Sequence, residues 1–127
     1  MADTSVIIDW DDPAVIAALP EELATSTITM AELAAGPHLA RDADERARRQ
    51  TRLQQAEALF DPLDFDSAAA RSYGQIVAAV SAAGRSHRRR VADLLIASVA
   101  HANGLPLYTR NPDDFRGLSG LLTLIGI

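Results

Sequence analysis

Short apolar runs alternate with longer amphipathic stretches along this chain, and most changes of pattern carry a cap or turn residue. Val6-Ile7-Ile8 follows an Asp-Thr-Ser turn and predicts a first short helix. Asp12-Pro13 sets an N-cap acceptor before a proline whose fixed φ suits the first helical position, predicting a helix over 14–19 that Pro20 stops. The run LATSTI, 23–28, is rich in β-branched residues and predicts a strand. Thr29-x-x-Glu32 has capping-box spacing and predicts a helix from there to Gly36-Pro37. Asp42-x-x-Glu45 heads a long amphipathic helix over 42–59, with Leu53, Ala56 and Leu59 toward the core.

The second half continues the alternation. Residues 60–65 hold a brief strand in this reading, Asp66 or Ser67 caps a helix running to about Ala83, and Gly84 stops it. The most apolar helix is expected over 91–102, ending at Asn103-Gly104. Strands follow at 105–109 and 121–125, with a helical turn starting at Asn111-Pro112 between them. Strands separated by helices imply an α/β sandwich around a parallel or mostly parallel sheet. In such sheets ligands bind beyond the carboxyl ends of the strands.

Four acidic residues fall at those handovers from apolar segment to helix start: Asp3, Glu32, Asp93 and Asp114. Each has a local explanation, since Asp3 can cap the helix behind it, Glu32 can close a capping box, and Asp93 and Asp114 can complement a helix N-terminus. Together they say more. Asp93 is embedded in Val-Ala-Asp-Leu-Leu-Ile-Ala, a costly position for an unpaired carboxylate. Thr4, Ser5, Thr109 and Asn111 place neutral hydroxyl and amide groups near the acids in sequence, as groups that orient carboxylates do. Four converging carboxylates call for a hard divalent cation, and such a site suits phosphate chemistry.

Composition narrows the chemistry. The chain has 127 residues, 48% of them hydrophobic, and is read as one domain, 1–127. It has no cysteine, which excludes disulfides, zinc ribbons and thiol catalysis. All twelve basic residues are arginine, so P-loop and Schiff-base lysines are excluded too. His38, His87 and His101 lack metal-ligand spacing and are read as ordinary surface or boundary residues. No signal peptide is visible and no apolar run nears the roughly 18 residues of a membrane span, so a cytoplasmic location without a membrane partner is expected.

The segments Asp-Thr-Ser-Val, Thr-x-x-Glu-Leu, Ala-Asp-Leu-Leu-Ile-Ala and Thr-Arg-Asn-x-x-Asp-Phe, in this order, resemble the PIN domain and more narrowly the VapC-type toxins of bacterial toxin–antitoxin pairs. The resemblance implies a three-layer sandwich with a four- to five-stranded sheet flanked by helices. It also implies an endoribonuclease whose Asp3, Glu32, Asp93 and Asp114 hold Mg²⁺, with Mn²⁺ as the alternative. Ser5, Thr109 and Asn111 would line the same pocket. Asp114 rather than Asp113 matches the family acid, since it lies three residues after Asn111 and directly precedes Phe115; Asp113 is kept as an auxiliary. Hydrolysis would leave a 5′-phosphate and a 3′-hydroxyl. The implied partners are an RNA substrate, with transfer RNA among the candidates, a cognate antitoxin, and a second copy in a homodimer. One departure is clear: only Met1 and Ala2 precede Asp3, where the family has three or four apolar residues. Either the first strand is very short or the natural chain starts further upstream.

Net charge is −5, but residues 1–70 hold fourteen acids against five arginines, while 71–127 hold seven arginines against three acids. Local binding of a polyanion is therefore compatible with the overall sign. Arg85, Arg88, Arg89 and Arg90 precede the Asp93 helix, where cations oppose the helix dipole and invite an anion. They are the candidate RNA-backbone contacts. Arg46, Arg48, Arg49 and Arg52 read instead as a surface face paired by Asp42 and Glu45. Aromatic residues make up only 5%, so recognition should rest on backbone and shape rather than base stacking; Trp10 is either core or part of an exposed patch. Competing readings are a housekeeping RNA-processing nuclease of the same fold and a non-catalytic PIN-like module binding RNA or protein. A small-molecule phosphatase would more commonly show D-x-D at the first strand, where this chain has Ser5.

Overall fold

A computed structural model of the chain, describing residues 1–127, is built on five extended segments lying side by side. Residues 1–3 take the middle. On one side the Ala2 amide donates to the Ala24 carbonyl at 2.8 Å; on the other Asp3 donates to Tyr108 at 3.0 Å and Tyr108 to Met1 at 2.8 Å. Strand β1 (Leu107–Thr109) then pairs in parallel with β2 (Leu124–Gly126), Leu107 opposite Leu124 and Thr109 opposite Gly126. At the other edge Ser26 bridges Leu63, also in parallel. The spatial order is thus 63, 25, 2, 108, 125: the chain winds outward in one direction, returns, and winds outward in the other.

The expected parallel sheet is present, but only β1 and β2 pair as regular strands. The others are short because helix caps cut them off. Asp3 accepts from the Val6 amide and starts α1 (Thr4–Ile8). Ser26 accepts from the Thr29 amide and starts α3 (Thr27–Ala35). This corrects two expectations. The strand expected over 23–28 yields to helix at Thr27, and Thr29-x-x-Glu32 is no capping box. Of two cap candidates three residues apart, Ser26 and Thr29, the earlier hydroxyl wins, which leaves Glu32 in the second turn of α3, free for another use.

The remaining helices follow their caps. Asp12 with Pro13 starts α2 (Pro13–Ala18), Asp42 starts α4 (Ala43–Leu59), and Asp66 starts α5 (Ser67–Ala82). After the 3₁₀ turn His87–Arg90 comes α6 (Val91–Ala102), buried along most of its length. Alternation along the middle segment divides the core: Met1 packs with α5, α6 and Leu107, whereas Ala2 packs with Val6, Val15, Leu33 and Ala56 from α1 to α4. Helices therefore cover both faces of the sheet, giving three layers. Trp10 packs against the second cluster, edge-on to Phe60 with ring centroids 5.7 Å apart. Arg49 pairs with Glu45 as expected, but Arg52 reaches Asp11 and Arg46 the Pro37 carbonyl, because Asp42 is committed to its cap. No helix is long and apolar enough to cross a membrane.

Candidate functional site

The spatial order reverses direction between residues 1–3 and β1, the topological switch point where open parallel sheets leave a crevice at their carboxyl ends. Asp3 and Thr109 end those two neighbouring segments and are both buried, Asp3 at 3% exposure. Asp3 Oδ1 accepts from the Ser5 hydroxyl at 2.6 Å and from the Val6 amide at 3.2 Å. Ser5 Oγ in turn accepts from the Arg110 amide at 2.9 Å and lies 3.4 Å from Thr109 Oγ1, which accepts from the Asn111 amide at 3.0 Å. Hydroxyls and amides thus fix both strand ends. Burial raises the Asp3 pKa from its ordinary value, and the Ser5 and Thr109 hydroxyls oppose that shift without cancelling it.

Glu32 enters from α3 and is held by the Thr4 hydroxyl at 2.5 Å; Thr4 Oγ1 also lies 3.2 Å from Thr29 Oγ1. Asp93, in the first turn of α6, makes no hydrogen bond or ion pair. Its pKa is raised to about 6, first by burial and then by the charges of Asp114, Glu32 and Asp3, with Arg90 acting the other way. Geometry places the four acids in one neighbourhood: Ser5 and Thr4, adjacent in sequence, hold Asp3 and Glu32, and Arg90, at the N-cap of α6, joins Asp114 to the helix that carries Asp93. Asp114 sits in the 3₁₀ turn Pro112–Phe115 and pairs with Arg90. The neighbouring Asp113 turns outward: its side chain is 80% exposed and pairs with Arg116 at 3.0 Å.

Coming together is not the same as coordinating. No three of these side chains form a ready metal shell, because Glu32 is drawn to Thr4 and Asp114 to Arg90. The donor chemistry nonetheless suits a hard divalent ion: every candidate ligand is oxygen, no histidine or sulfur intrudes, and Asp93 makes no hydrogen bond or ion pair of its own. Of the other residues expected here, Ser5 and Thr109 lie in the hydroxyl network. Asn111 contributes its backbone amide to that network, while its exposed residue lines a shallow surface depression with Ser5, Asp9 and Arg110. Asp113 is not brought into the carboxylate cluster.

The arginines separate. Arg90 pairs with Asp114, and Arg85 Nη1 donates to the carbonyls of Asp113 and Arg116 at 3.0 and 3.4 Å, strapping the Asp114 turn to the end of α5. Arg88 and Arg89 are exposed and unpaired. Sequence reasoning passed over Thr4 as the partner of Glu32, Arg90 as the counterion of Asp114, and Arg116. All three relations span long sequence separations or concern an isolated surface arginine, so no local pattern marks them.

With this geometry in hand, comparison with known proteins is consistent. The family model described as PIN domain matches residues 1–121. Ribonuclease VapC5 of Mycobacterium tuberculosis is 37% identical over 120 residues, covering 93% of this chain and 86% of that protein. Ribonuclease VapC8 of the same organism is 36% identical over 100 residues, covering 79% and 88%. Among solved structures, a VapBC-5 toxin–antitoxin complex from Mycobacterium tuberculosis matches with a TM-score of 0.86 at 34% identity over 99% of this chain and 96% of that one. FitAcB from Neisseria gonorrhoeae matches with a TM-score of 0.78 at 29% identity over 98% and 94%. The sheet order, the acids gathered at its switch point and the family match over nearly the whole length agree that this chain belongs to the PIN domain family.

Proposed function

We propose that this chain is a metal-dependent endoribonuclease that cleaves RNA as the toxin of a toxin–antitoxin pair, its 127 residues acting as one domain. The observation that carries the reading is geometric: Asp3 is buried at the sheet's switch point, Thr4 beside it holds Glu32, and Arg90 at the head of the Asp93 helix holds Asp114. The names of its relatives, ribonucleases VapC5 and VapC8, and a solved relative described as a toxin–antitoxin complex support the substrate and the partner.

Asp3, Asp93 and Asp114, with Glu32, would hold Mg²⁺ or Mn²⁺. When bound, such an ion supplies Lewis acidity to the phosphodiester and acidifies water. The chain's own groups do the rest. Ser5 and the Val6 amide hold Asp3 in one orientation, with Thr109 beside Ser5, and Thr4 restrains Glu32. Arg90 balances Asp114, and once released from that pair its guanidinium is placed to meet a phosphate. Exposed Ile8, Leu39 and Leu59 offer apolar surface to an antitoxin or to a second copy in a homodimer.

The test is cleavage of total RNA by purified protein, with and without EDTA, mapped by end sequencing. Metal-dependent cuts ending in 5′-phosphate and 3′-hydroxyl are expected. Cleavage that persists in EDTA, or its absence with both metals, would overturn the reading. A DNA-binding antitoxin encoded beside this gene would separate a toxin from a housekeeping nuclease.

A further inference from the structure

Next to the carboxylates, and sharing Asp114 as a wall, lies a cavity of about 410 Å³ between the end of α5, the His87–Arg90 turn and the Asp114 turn. Arg85, Arg89, Arg90 and Arg116 line it together with Ser86, and Asp114 is its one acidic group. Its volume falls in the lower part of the roughly 300–1,000 Å³ range of small-molecule sites, enough for a nucleotide-sized unit. The apolar contribution is small, from Val80 and Leu94, and no aromatic side chain is present. A base would find no aromatic ring to stack on, and a peptide side chain little apolar anchor. Charged, planar donors around a polar hollow suit a sugar-phosphate unit instead.

The arginines are not equivalent within it. Arg90 is engaged by Asp114, and Arg85 holds two backbone carbonyls. Arg116 makes only a surface pair with Asp113, the two side chains 66% and 80% exposed, which costs little to break. Arg89 makes no hydrogen bond or ion pair, and Ser86 Oγ accepts from the Arg88 amide, leaving its own proton free to donate. Arg88, adjacent in sequence, does not line the cavity.

We propose that this cavity is a second phosphate subsite, in which Arg89 and Arg116, backed by Ser86, hold the RNA backbone phosphate of a nucleotide neighbouring the scissile one. The proposal rests on the ribonuclease reading for the identity of its ligand. It also singles out two arginines: the isolated Arg116 matters, whereas Arg88 in the arginine run does not.

The test is equilibrium binding of a fluorescein-labelled ten-nucleotide single-stranded RNA in EDTA, where no cleavage is needed, across a range of salt. Arg89→Ala/Arg116→Ala should weaken binding about tenfold or more and reduce the slope of log affinity against log salt by about 0.7, the loss of one phosphate contact. Arg89→Lys/Arg116→Lys should keep most of the affinity, and Arg88→Ala or Arg48→Ala should stay within twofold. If the double alanine variant fails to fold, Arg116→Ala alone carries the test with about half the slope change. Unchanged affinity and slope in the alanine variants, an equal loss in Arg88→Ala, or no RNA binding by the native chain overturns the proposal. So does a deca-glutamate peptide that binds as tightly with the same arginine dependence, which would assign the cavity to an acidic protein segment. The two readings fail separately: an Asp93→Asn variant that still cleaves removes the carboxylate mechanism and leaves this binding pattern standing.

Discussion

The two walls that meet at Asp114 carry opposite charge and are held in opposite ways. On the carboxylate side the side chains are short, and two of the four are fixed by neutral groups: Ser5 on Asp3 and Thr4 on Glu32, with Thr109 close by. On the arginine side they are long and exposed, and mainly Arg85 and Arg90 are tied down. On the proposed function the difference follows from what each wall would do. A cation site needs ligands placed to within a fraction of an ångström, so rotamer freedom is removed in advance. A backbone-phosphate groove must accept a flexible polymer, and mobile guanidinium groups adapt to it at little cost in folded-state order. Rigidity on one wall and freedom on the other are joined by the single Arg90–Asp114 pair.

The comparison breaks most sharply on the rigid side. Asp93→Asn should lower RNA cleavage by at least about 10²-fold while circular dichroism remains that of the native fold. Near-native turnover in the purified variant would remove Asp93 from the site. Asp3→Asn should do the same, with some additional cost to the start of α1, since Asp3 also caps that helix.

Next comes the strap between the walls. Gly117 has φ +91°, and a Cβ there would lie 2.9 Å from the Ala83 Cβ. Gly117→Ala should therefore destabilise the protein by about 1–3 kcal/mol in urea titrations and loosen the loop carrying Asp114 and Arg116. A variant as stable as the native chain would show that this loop does not depend on the close approach.

A third effect lies in pH. The folded pKa of Asp93, about 6, is above its unfolded value, so its contribution to stability is complete below about pH 4 and is lost as pH rises through 6. Asp3 shifts in the same direction. The metal-free protein should thus lose melting temperature between about pH 4 and pH 6, opposite to ordinary acid unfolding. Asp93→Asn should flatten that slope and stabilise the EDTA-treated protein at pH 7.5 by on the order of 1–2 kcal/mol, after allowing for partial solvent screening. Differential scanning calorimetry at three pH values reads this directly.

The smallest expected change concerns the joining pair. Arg90→Ala frees Asp114 and removes the cation that lowers the Asp93 pKa, so divalent metal should bind a few-fold more tightly by isothermal titration calorimetry. Weaker binding would mean that Arg90 positions Asp114 for the ion rather than competing with it.

Much of this was legible before any coordinates. The caps at Asp12, Asp42 and Asp66 each start the helix their spacing predicts, because a cap is a contact between residues two or three apart. The failure at 23–28 is instructive, since Ser26, Thr27 and Thr29 all offer hydroxyls and only pairing with Leu63 settles where extension ends. The brief first strand is another case. Two apolar residues before Asp3 look too few to anchor it, yet residues 1–3 hold the middle of the sheet and hydrogen-bond to both sides.

The order of acids, hydroxyls and caps along the chain follows from sequence, because it rests on residue type and short spacing, while the choice of Asp114 over Asp113 is what the family resemblance implies. Bringing the four carboxylates together needed the winding of the sheet, which sets the ends of residues 1–3 and β1 side by side although they are about a hundred residues apart. The sorting of the arginines needed it as well. Arg88 and Arg89 are chemically identical neighbours, and only the curl of a 3₁₀ turn against the end of α5 lets Arg89, and not Arg88, line the cavity beside Asp114. Local contacts are written in local sequence; which distant charges must share a small volume is decided only when the chain closes on itself.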